Sequence, residues 1–420
     1  KALGLDVIVI DHHVAETKLP DAVAVVNPNR LDETSPLKHV AAVGLAFMVS
    51  VALNSHLKKC GFFDNKPAPD LLSLLDLVAL GTVCDVMPLQ GLNRAFVAQG
   101  LKVMANRKNK GLKALADKAG LTEKPTPYHL GYLLGPRINA GGRVGDATLG
   151  TRLLITSDTL DAEKIATELN HCNSQRQALE AQALDEAKDQ AHQQKDSVIV
   201  VMGPWHPGIV GIIAGRLKDM YHRPVFCLSL DQGIAKGSGR SITGFDLGFF
   251  VHKARELGYI TAGGGHAMAA GVTLREECIK PFQNYLVACL TDMNLDLTPT
   301  LFFEGYLSLT ALTPDLCKTL QHLEPYGQGH PMPRFCFEGV RVVRMDILKE
   351  SHFRLIVTDP FSSSHAVTAM VFRAVGSGIE TLLMNRSGLL DMIGTLQLDT
   401  WGGDEKVKMI IDDIRVHALS

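Results

Sequence analysis

The stretch "VIVIDHH", residues 7–13, decides how the chain is read. Four β-branched apolar residues run straight into an aspartate and two histidines, side chains poorly suited to the inside of a sheet. The apolar run fits a fully buried strand of a parallel sheet, and in open α/β sheets ligands bind beyond the carboxyl ends of such strands. Asp11, His12 and His13 are therefore expected to face a crevice.

Around this stretch, composition sets the bounds. A chain of 420 residues exceeds what one core usually organises, so two or three domains are expected. With a formal charge of −2, a nucleic-acid binder must gather its Lys and Arg in a local groove, so bulk charge cannot identify the partner. The eight cysteines never stand closer than eleven residues apart, which removes any CxxC metal knuckle and fits reduced thiols and a cytoplasmic location. No uninterrupted apolar stretch reaches about 18 residues and no charged-then-apolar leader is present, so no membrane partner is expected. The chain opens on Lys1 in what reads as the approach to a strand, so a preceding segment is expected.

Along the chain, residues 1–157 mix strand-like runs ("DVIVI", "AVAVV") with helical ones ("VGLAFMVSVALNSHL", "LLSLLDLVALG"), an α/β pattern. From 158 to 194 Gly and Pro vanish and Ala, Glu, Gln and Leu dominate, which predicts a long helix polar enough to bridge domains. A second α/β unit follows over 195–292: "DSVIVVMG" as strand, "HPGIVGIIAGRLKDMY" as helix with Pro near its start, "RPVFCLSL" as strand. Residues 298–420 carry β-rich segments such as "RLIVTD" and "KVKMIIDDIRV" between turn residues, which predicts a small barrel.

An Asp-His-His triplet by itself is more often structural than metal-binding. A second feature strengthens it. "LVALGTVCDVMPL" (77–89) places Asp85 after a helical apolar run and a Gly-Thr turn, where a carboxylate gains nothing unless it caps, pairs or ligates. Imidazole with carboxylate suits Mn²⁺, Fe²⁺ or Zn²⁺ better than Mg²⁺. In "LGPRINAGGRVGDA" (134–147), Arg137 and Arg143 flank an expected Gly-rich loop whose open N–H groups and planar guanidinium donors suit phosphate. "AKGSGRS" (235–241) sets Ser238 and Arg240 among glycines, and "TAGGGHAMAAG" (261–271) reads as a Gly-rich loop opening a tightly packed helix, with His266 near a phosphate oxygen. The bland alternatives are solvated surface arginines and close helix packing. His206 in "WHPGIVG" is explained mostly by a helix start, and the basic run "NRKNKGLK" (106–113) equally by a solvated cluster or by DNA contact.

Taken in order, these motifs resemble the DHH phosphoesterases with their DHH-associated C-terminal domain. "LEPYGQGHPMPRF" and the β-rich tail further resemble that family's single-stranded-DNA-specific exonucleases. The resemblance covers essentially the whole chain and implies a phosphoesterase domain with a parallel sheet (1–157), a connecting helix (158–194), a DHH-associated domain (195–292) and an oligonucleotide-binding (OB) barrel (298–420). It implies an active site between the two α/β units, with two ions, Mn²⁺ or Mg²⁺. His12 and Asp85 would be metal ligands, Asp11 would orient the site and His13 would meet the scissile phosphate. Arg137, Asn139, Arg143, Ser238, Arg240, Gly264, Gly265 and His266 would hold the 5′ end of the strand. The implied activity is 5′-to-3′ hydrolysis of single-stranded DNA to 5′-mononucleotides in repair and recombination. The implied protein is a monomer that meets single-strand-binding protein and repair factors.

Two departures stand out. The family's Asp-x-Asp strand and a further metal-binding aspartate, both upstream of the triplet, have no counterpart here, so the expectation is an N-terminally truncated sequence lacking ligands for two ions. His330 in "YGQGHPMP" replaces the usual Asn. Two alternatives stay open: a phosphodiesterase for short oligonucleotides or cyclic dinucleotides, and a non-catalytic single-strand-binding relative.

Overall fold

The computed structural model describes residues 4–15, 17–360, 362–384, 388–399 and 403–418. The chain forms two compact units, one of residues 1–102 with 301–420, the other of residues 103–300.

In the first unit, strands β1 (Ile8–Ile10) and β2 (Ala24–Val26) pair in parallel, Ile8 opposite Ala24. The strand expected in "VIVIDHH" is therefore present, but it is not fully buried: Val7 is 45% and Ile8 61% exposed. A parallel strand is buried by neighbours and by helices on both faces, and among the described residues β1 pairs with β2 alone. Helices α1 (Ala42–Lys59), α2 (Leu75–Cys84) and α3 (Gly91–Ala105) follow. The turn expected at Gly81-Thr82 is instead helix. A Cβ at Gly81 would stand 2.7 Å from a Val43 methyl, so glycine there serves the packing of α2 on α1.

The second unit contains α4 (Lys110–Lys118), a π-helical stretch (His129–Leu134) running straight into α5 (Gly135–Val144), α6 (Thr148–Ile155) and the 34-residue α7 (Thr159–His192). Asp158 caps α7 by accepting from the amides of Leu160 and Asp161. Next come β3 (Ile199–Gly203), α8 (Pro207–Tyr221), β4 (Val225–Asp231), β5 (Ile234–Arg240), α9 (Leu247–Glu256), β6 (Ala262–His266), β7 (Ala269–Arg275) and α10 (Ile279–Asp292). The sheet order is β3-β4-β5-β7-β6, parallel only between β3 and β4. One face packs on α7 and α8 through Ala187, Ile213 and Leu217, the other on α9 and α10 through Val251 and Phe282.

Three glycine-rich segments differ from expectation. "GPRINAGGR" is helix, because Pro136 sits at its start and Gly141 lets α5 close on α7: a Cβ there would meet Leu169 at 3.1 Å. "GSGR" and "GGGHAMAAG" are paired strands rather than loops, and no helix follows Gly265. Glycines inside strands mark close approach of another backbone. Here the paired strands supply it, since a Cβ on Gly237 would meet Cys227 O at 2.4 Å and one on Gly265 would meet Ala269 O at 2.3 Å. Helix α9 presses on the same hairpin, where a Cβ on Gly248 would meet the Gly265 carbonyl at 2.9 Å.

The remaining segment returns to the first unit with β8 (Gly305–Tyr306), α11 (Pro314–Gln321), β9 (Phe335–Leu348), β10 (His352–Asp359), β11 (Ser362–Val371), α12 (Gly378–Met384), β12 (Leu390–Asp399) and β13 (Lys406–Val416). The order β9-β10-β11-β13-β12 closes where β12 pairs β9, with β11 and β13 parallel. The expected OB-like barrel is thus present, with five strands closing it around Phe337, Phe353, Leu355, Met392 and Met409.

Candidate functional site

The Asp-His-His corner is fixed by its own backbone. The Asp11 amide donates to Val26 O (3.1 Å), prolonging the β1–β2 pairing just past the strand end. Asn27 Nδ2 donates to His13 O (2.8 Å) and Asn29 Nδ2 to His12 O (2.7 Å), so the "NPN" after β2 clamps the triplet. Asp11 Oδ1 accepts from the His12 amide (2.8 Å) and lies 2.7 Å from His13 Nδ1. Together these hold the Asp11 carboxyl below its ordinary range, the His13 ring first, against burial, which acts the other way.

Asp85 reaches this corner from the end of α2. The helix stops in a Schellman turn, Met87 N to Thr82 O and Val86 N to Val83 O (both 3.1 Å), with Asp85 as C-cap. The left-handed position falls on Val86 (φ +57°), where glycine is usual and a β-branched residue is strained. Beyond it, Leu89 N donates to Gln328 O (2.7 Å) and Gln90 Nε2 to Gly329 O (2.9 Å), so "YGQG" braces the segment that carries Asp85. His330 staples that brace through Leu323 O (2.8 Å). Burial, helped by Asp85, pushes the Cys84 thiol up to about 11, so it stays protonated beside the carboxylate.

The result is a contact between residues far apart in sequence: His12 Nε2 lies 3.1 Å from Asp85 Oδ2. Two donors about 2.1 Å from one ion and at right angles stand about 3 Å apart, so this spacing fits adjacent ligands of a single octahedral cation. Donor atoms of Asp11, His12 and His13 also lie within 4.8 Å of one another.

A different construction makes the anion site of the second unit, a cleft of about 800 Å³ lined by Asn139 and Arg143 of α5, Gly208 and Gly211 of α8, and Ser238 and Arg240 of β5. Arg143 Nη1 donates to Gly208 O (2.7 Å), and Arg240 Nη1 to Ser238 Oγ (2.6 Å). A Cβ on Gly208 would sit 2.5 Å from Arg143 O, and one on Gly211 3.1 Å from Arg240 Nη2. Only glycine admits the start of α8 this close. Burial first, then the neighbouring Arg143, holds Arg240 below its ordinary value; burial, then Arg176, does the same to Arg143. Among the described residues, no carboxylate lines the cleft or stands within ion-pair distance of Arg143 or Arg240, and Glu180 offsets only part of the repulsion on Arg143, so the cleft carries net positive charge. An anion would relieve it.

The other expected site residues fall elsewhere. Arg137 donates to Asn170 Oδ1 (3.0 Å) and Leu133 O (2.7 Å) and does not line the cleft. Gly264, Gly265 and His266 lie on the β6–β7 hairpin; Gly263 and Gly271 line the cleft instead. His206 caps α8, accepting from Gly208 N (3.0 Å). Sequence reasoning passed over Lys236, although 236, 238 and 240 share one face of a strand by period two. It also passed over Asn173, Arg176 and Glu180, a buried network on α7 in which Glu180 pairs Arg176 and Arg216 (2.5 Å each).

Comparison with known proteins matches three family models: the DHH family N-terminal domain over residues 1–82, the DHHA1 domain over 194–292 and the RecJ OB domain over 303–413. The single-stranded-DNA-specific exonuclease RecJ of Escherichia coli (strain K12) is 34% identical over 436 residues, covering 99% of this chain and 74% of that protein. The protein of the same name from Bacillus subtilis (strain 168) is 31% identical, covering 99% of this chain and 52% of its own length. The crystal structure of RecJ from Thermus thermophilus in complex with Mn²⁺ superposes with a TM-score of 0.83 at 30% identity, covering 99% of this chain and 59% of that one. The Mg²⁺ complex from the same organism gives 0.80, at 29% identity, 99% and 61%.

Proposed function

This chain belongs to the RecJ family of single-stranded-DNA-specific exonucleases, and on that premise we propose that it is a metal-dependent hydrolase releasing 5′-mononucleotides from the 5′ end of single-stranded DNA. The observation that carries this reading is the 3.1 Å approach of His12 Nε2 to Asp85 Oδ2, a donor pair that suits Mn²⁺ better than Mg²⁺. A divalent ion held by this pair would supply positive charge at the phosphoryl oxygens and acidify the attacking water. The chain's own residues do the rest. Asn27 and Asn29 hold the corner's backbone, Asp11 fixes the His13 ring through Nδ1, and His13 meets the scissile phosphate. Arg143, Arg240 and Ser238, with Asn139, hold the 5′-terminal phosphate, and the β6–β7 hairpin that carries Gly264, Gly265 and His266 reaches the cleft through Gly263 and Gly271. Arg137 supports it through α5. The OB barrel binds the following nucleotides by backbone contacts and stacking.

The same reading makes the protein a cytoplasmic monomer of repair and recombination that meets single-strand-binding protein. No helix among the described residues is long and apolar enough to cross a membrane. The test is Mn²⁺-dependent digestion of 5′-labelled strands of graded length and of a duplex. The expected result is release of mononucleotides from long single strands with the duplex spared. Preference for dinucleotides would favour a short-oligonucleotide phosphodiesterase, and binding without cleavage a non-catalytic relative.

A further inference from the structure

Two tyrosines stand exposed just ahead of the helix that carries the anion-cleft residues. Tyr128 is 66% and Tyr132 75% exposed, and their rings stack at 5.2 Å between centroids with 30° between planes. Tyr132 lies in the π-helical stretch that runs into α5 and Tyr128 just before it, and π-turns inside helices recur at functional sites. The pair is held from below. His129 Nδ1 accepts from Thr126 N (3.1 Å) and Nε2 lies 3.1 Å from Glu123 Oε1, while its ring meets Tyr128 edge-on at 5.7 Å.

Large aromatic surfaces left in water by a rigid support call for a flat ligand. Seven residues separate Tyr132 from Asn139, which lines the cleft, and seven residues along a helical rod advance about 10 Å. At a stacked rise of about 3.4 Å per nucleotide, that distance is about three nucleotides. We propose that Tyr128 and Tyr132 form a base-stacking platform that receives a nucleobase of the strand whose phosphate occupies the cleft of Arg143 and Arg240. This rests on the single-strand reading above and adds how the strand is recognised: phosphate at the cleft, π-face at the tyrosines. Stacking is indifferent to base identity because every base has a π-face, which suits an enzyme that must digest any sequence.

The test is fluorescence anisotropy in EDTA, where no hydrolysis occurs, with 5′-phosphorylated oligothymidylate and the same oligomer made abasic at nucleotides 2–5. The wild-type chain is expected to bind the intact strand about tenfold or more tightly. Tyr132→Ala, and more fully Tyr128→Ala with Tyr132→Ala, should bring the two affinities together, while Tyr132→Phe keeps them apart. The salt slope should not move, because it counts phosphates. Since both side chains are exposed, the variants should melt like the wild type. Equal affinity of the wild type for both strands, or full discrimination by the double variant, overturns the platform. Failure of the wild type to bind either strand overturns the single-strand reading itself.

Discussion

The Asp-His-His corner is assembled by hydrogen bonds within loops, whereas the arginine cleft is assembled by helices and a strand brought so close that only glycine fits between them. In the corner the functional atoms are placed by a few short contacts: two asparagine amides on two carbonyls and one Schellman turn under Asp85. In the cleft they are placed by the packing of α5, α8 and β5, and no single bond is decisive. The corner gathers mixed charges that pair with one another; the cleft gathers like charges that burial and mutual repulsion hold off balance. The first arrangement suits a cation and the second an anion. Substitutions in the corner should therefore strike the chemistry, and substitutions in the cleft should strike binding.

The largest effect tests the corner directly. His12→Ala or Asp85→Asn should lower kcat on a single strand with Mn²⁺ by on the order of 10³-fold, since a cation's share of charge stabilisation goes with its ligand. Circular dichroism should show an unchanged fold. Retention of more than a tenth of the rate by both variants would break the distinction between the two regions.

Next comes the cleft. Arg240→Ala should raise KM for a 5′-phosphorylated strand by about 10- to 100-fold, the scale of one charge-assisted hydrogen bond, with kcat changed much less. Arg137→Ala is the control within the same motif. Its guanidinium braces Asn170 and Leu133, so it should lower the melting temperature and leave KM within about twofold. If Arg137→Ala raised KM as far as Arg240→Ala, the cleft would be drawn too narrowly around Arg143 and Arg240.

Those two arginines also show where sequence stops being legible. The meeting of His12 and Asp85 agrees with expectation, since a strand end and a helix end are both local signals, whereas Arg137, Gly264, Gly265 and His266 do not line the cleft. The cleft's secondary structure was not legible. "GPRINAGGR", "GSGRS" and "GGGHA" look like phosphate loops because glycine usually means backbone freedom, yet at Gly141, Gly237, Gly239, Gly263 and Gly265 it means close contact with a packed helix or a paired strand. The same holds for "NPNR": its asparagines look like turn residues, and only the fold reveals their partners at His12 and His13.

Asn29 makes the next prediction. Its Nδ2 holds both His12 O and Lys38 O, so Asn29→Ala should loosen the His12 backbone without touching any ligand atom. Mn²⁺ affinity, followed by calorimetry, should fall about tenfold or more, the usual cost of losing a residue that orients a ligand. Unchanged affinity would mean that the β1–β2 pairing alone suffices to hold the corner.

The smallest effect concerns Val86, where the corner carries strain. A β-branched residue at φ +57° costs about 1–2 kcal/mol relative to a residue at ease there, while glycine gives back about 0.5–1 kcal/mol in unfolded-state freedom. Val86→Gly should therefore stabilise the protein by up to about 1.5 kcal/mol in urea denaturation. The Schellman bonds from Val86 N and Met87 N need no side chain at this position, so Asp85 should keep its place beside His12 and kcat should stay within about twofold. A gain in stability with unchanged rate makes Val86 a tolerated strain. A gain in stability with a fallen rate makes the exposed isopropyl group, adjacent to Asp85, part of what the substrate touches, and extends the corner from a cation site to a surface that also meets the strand.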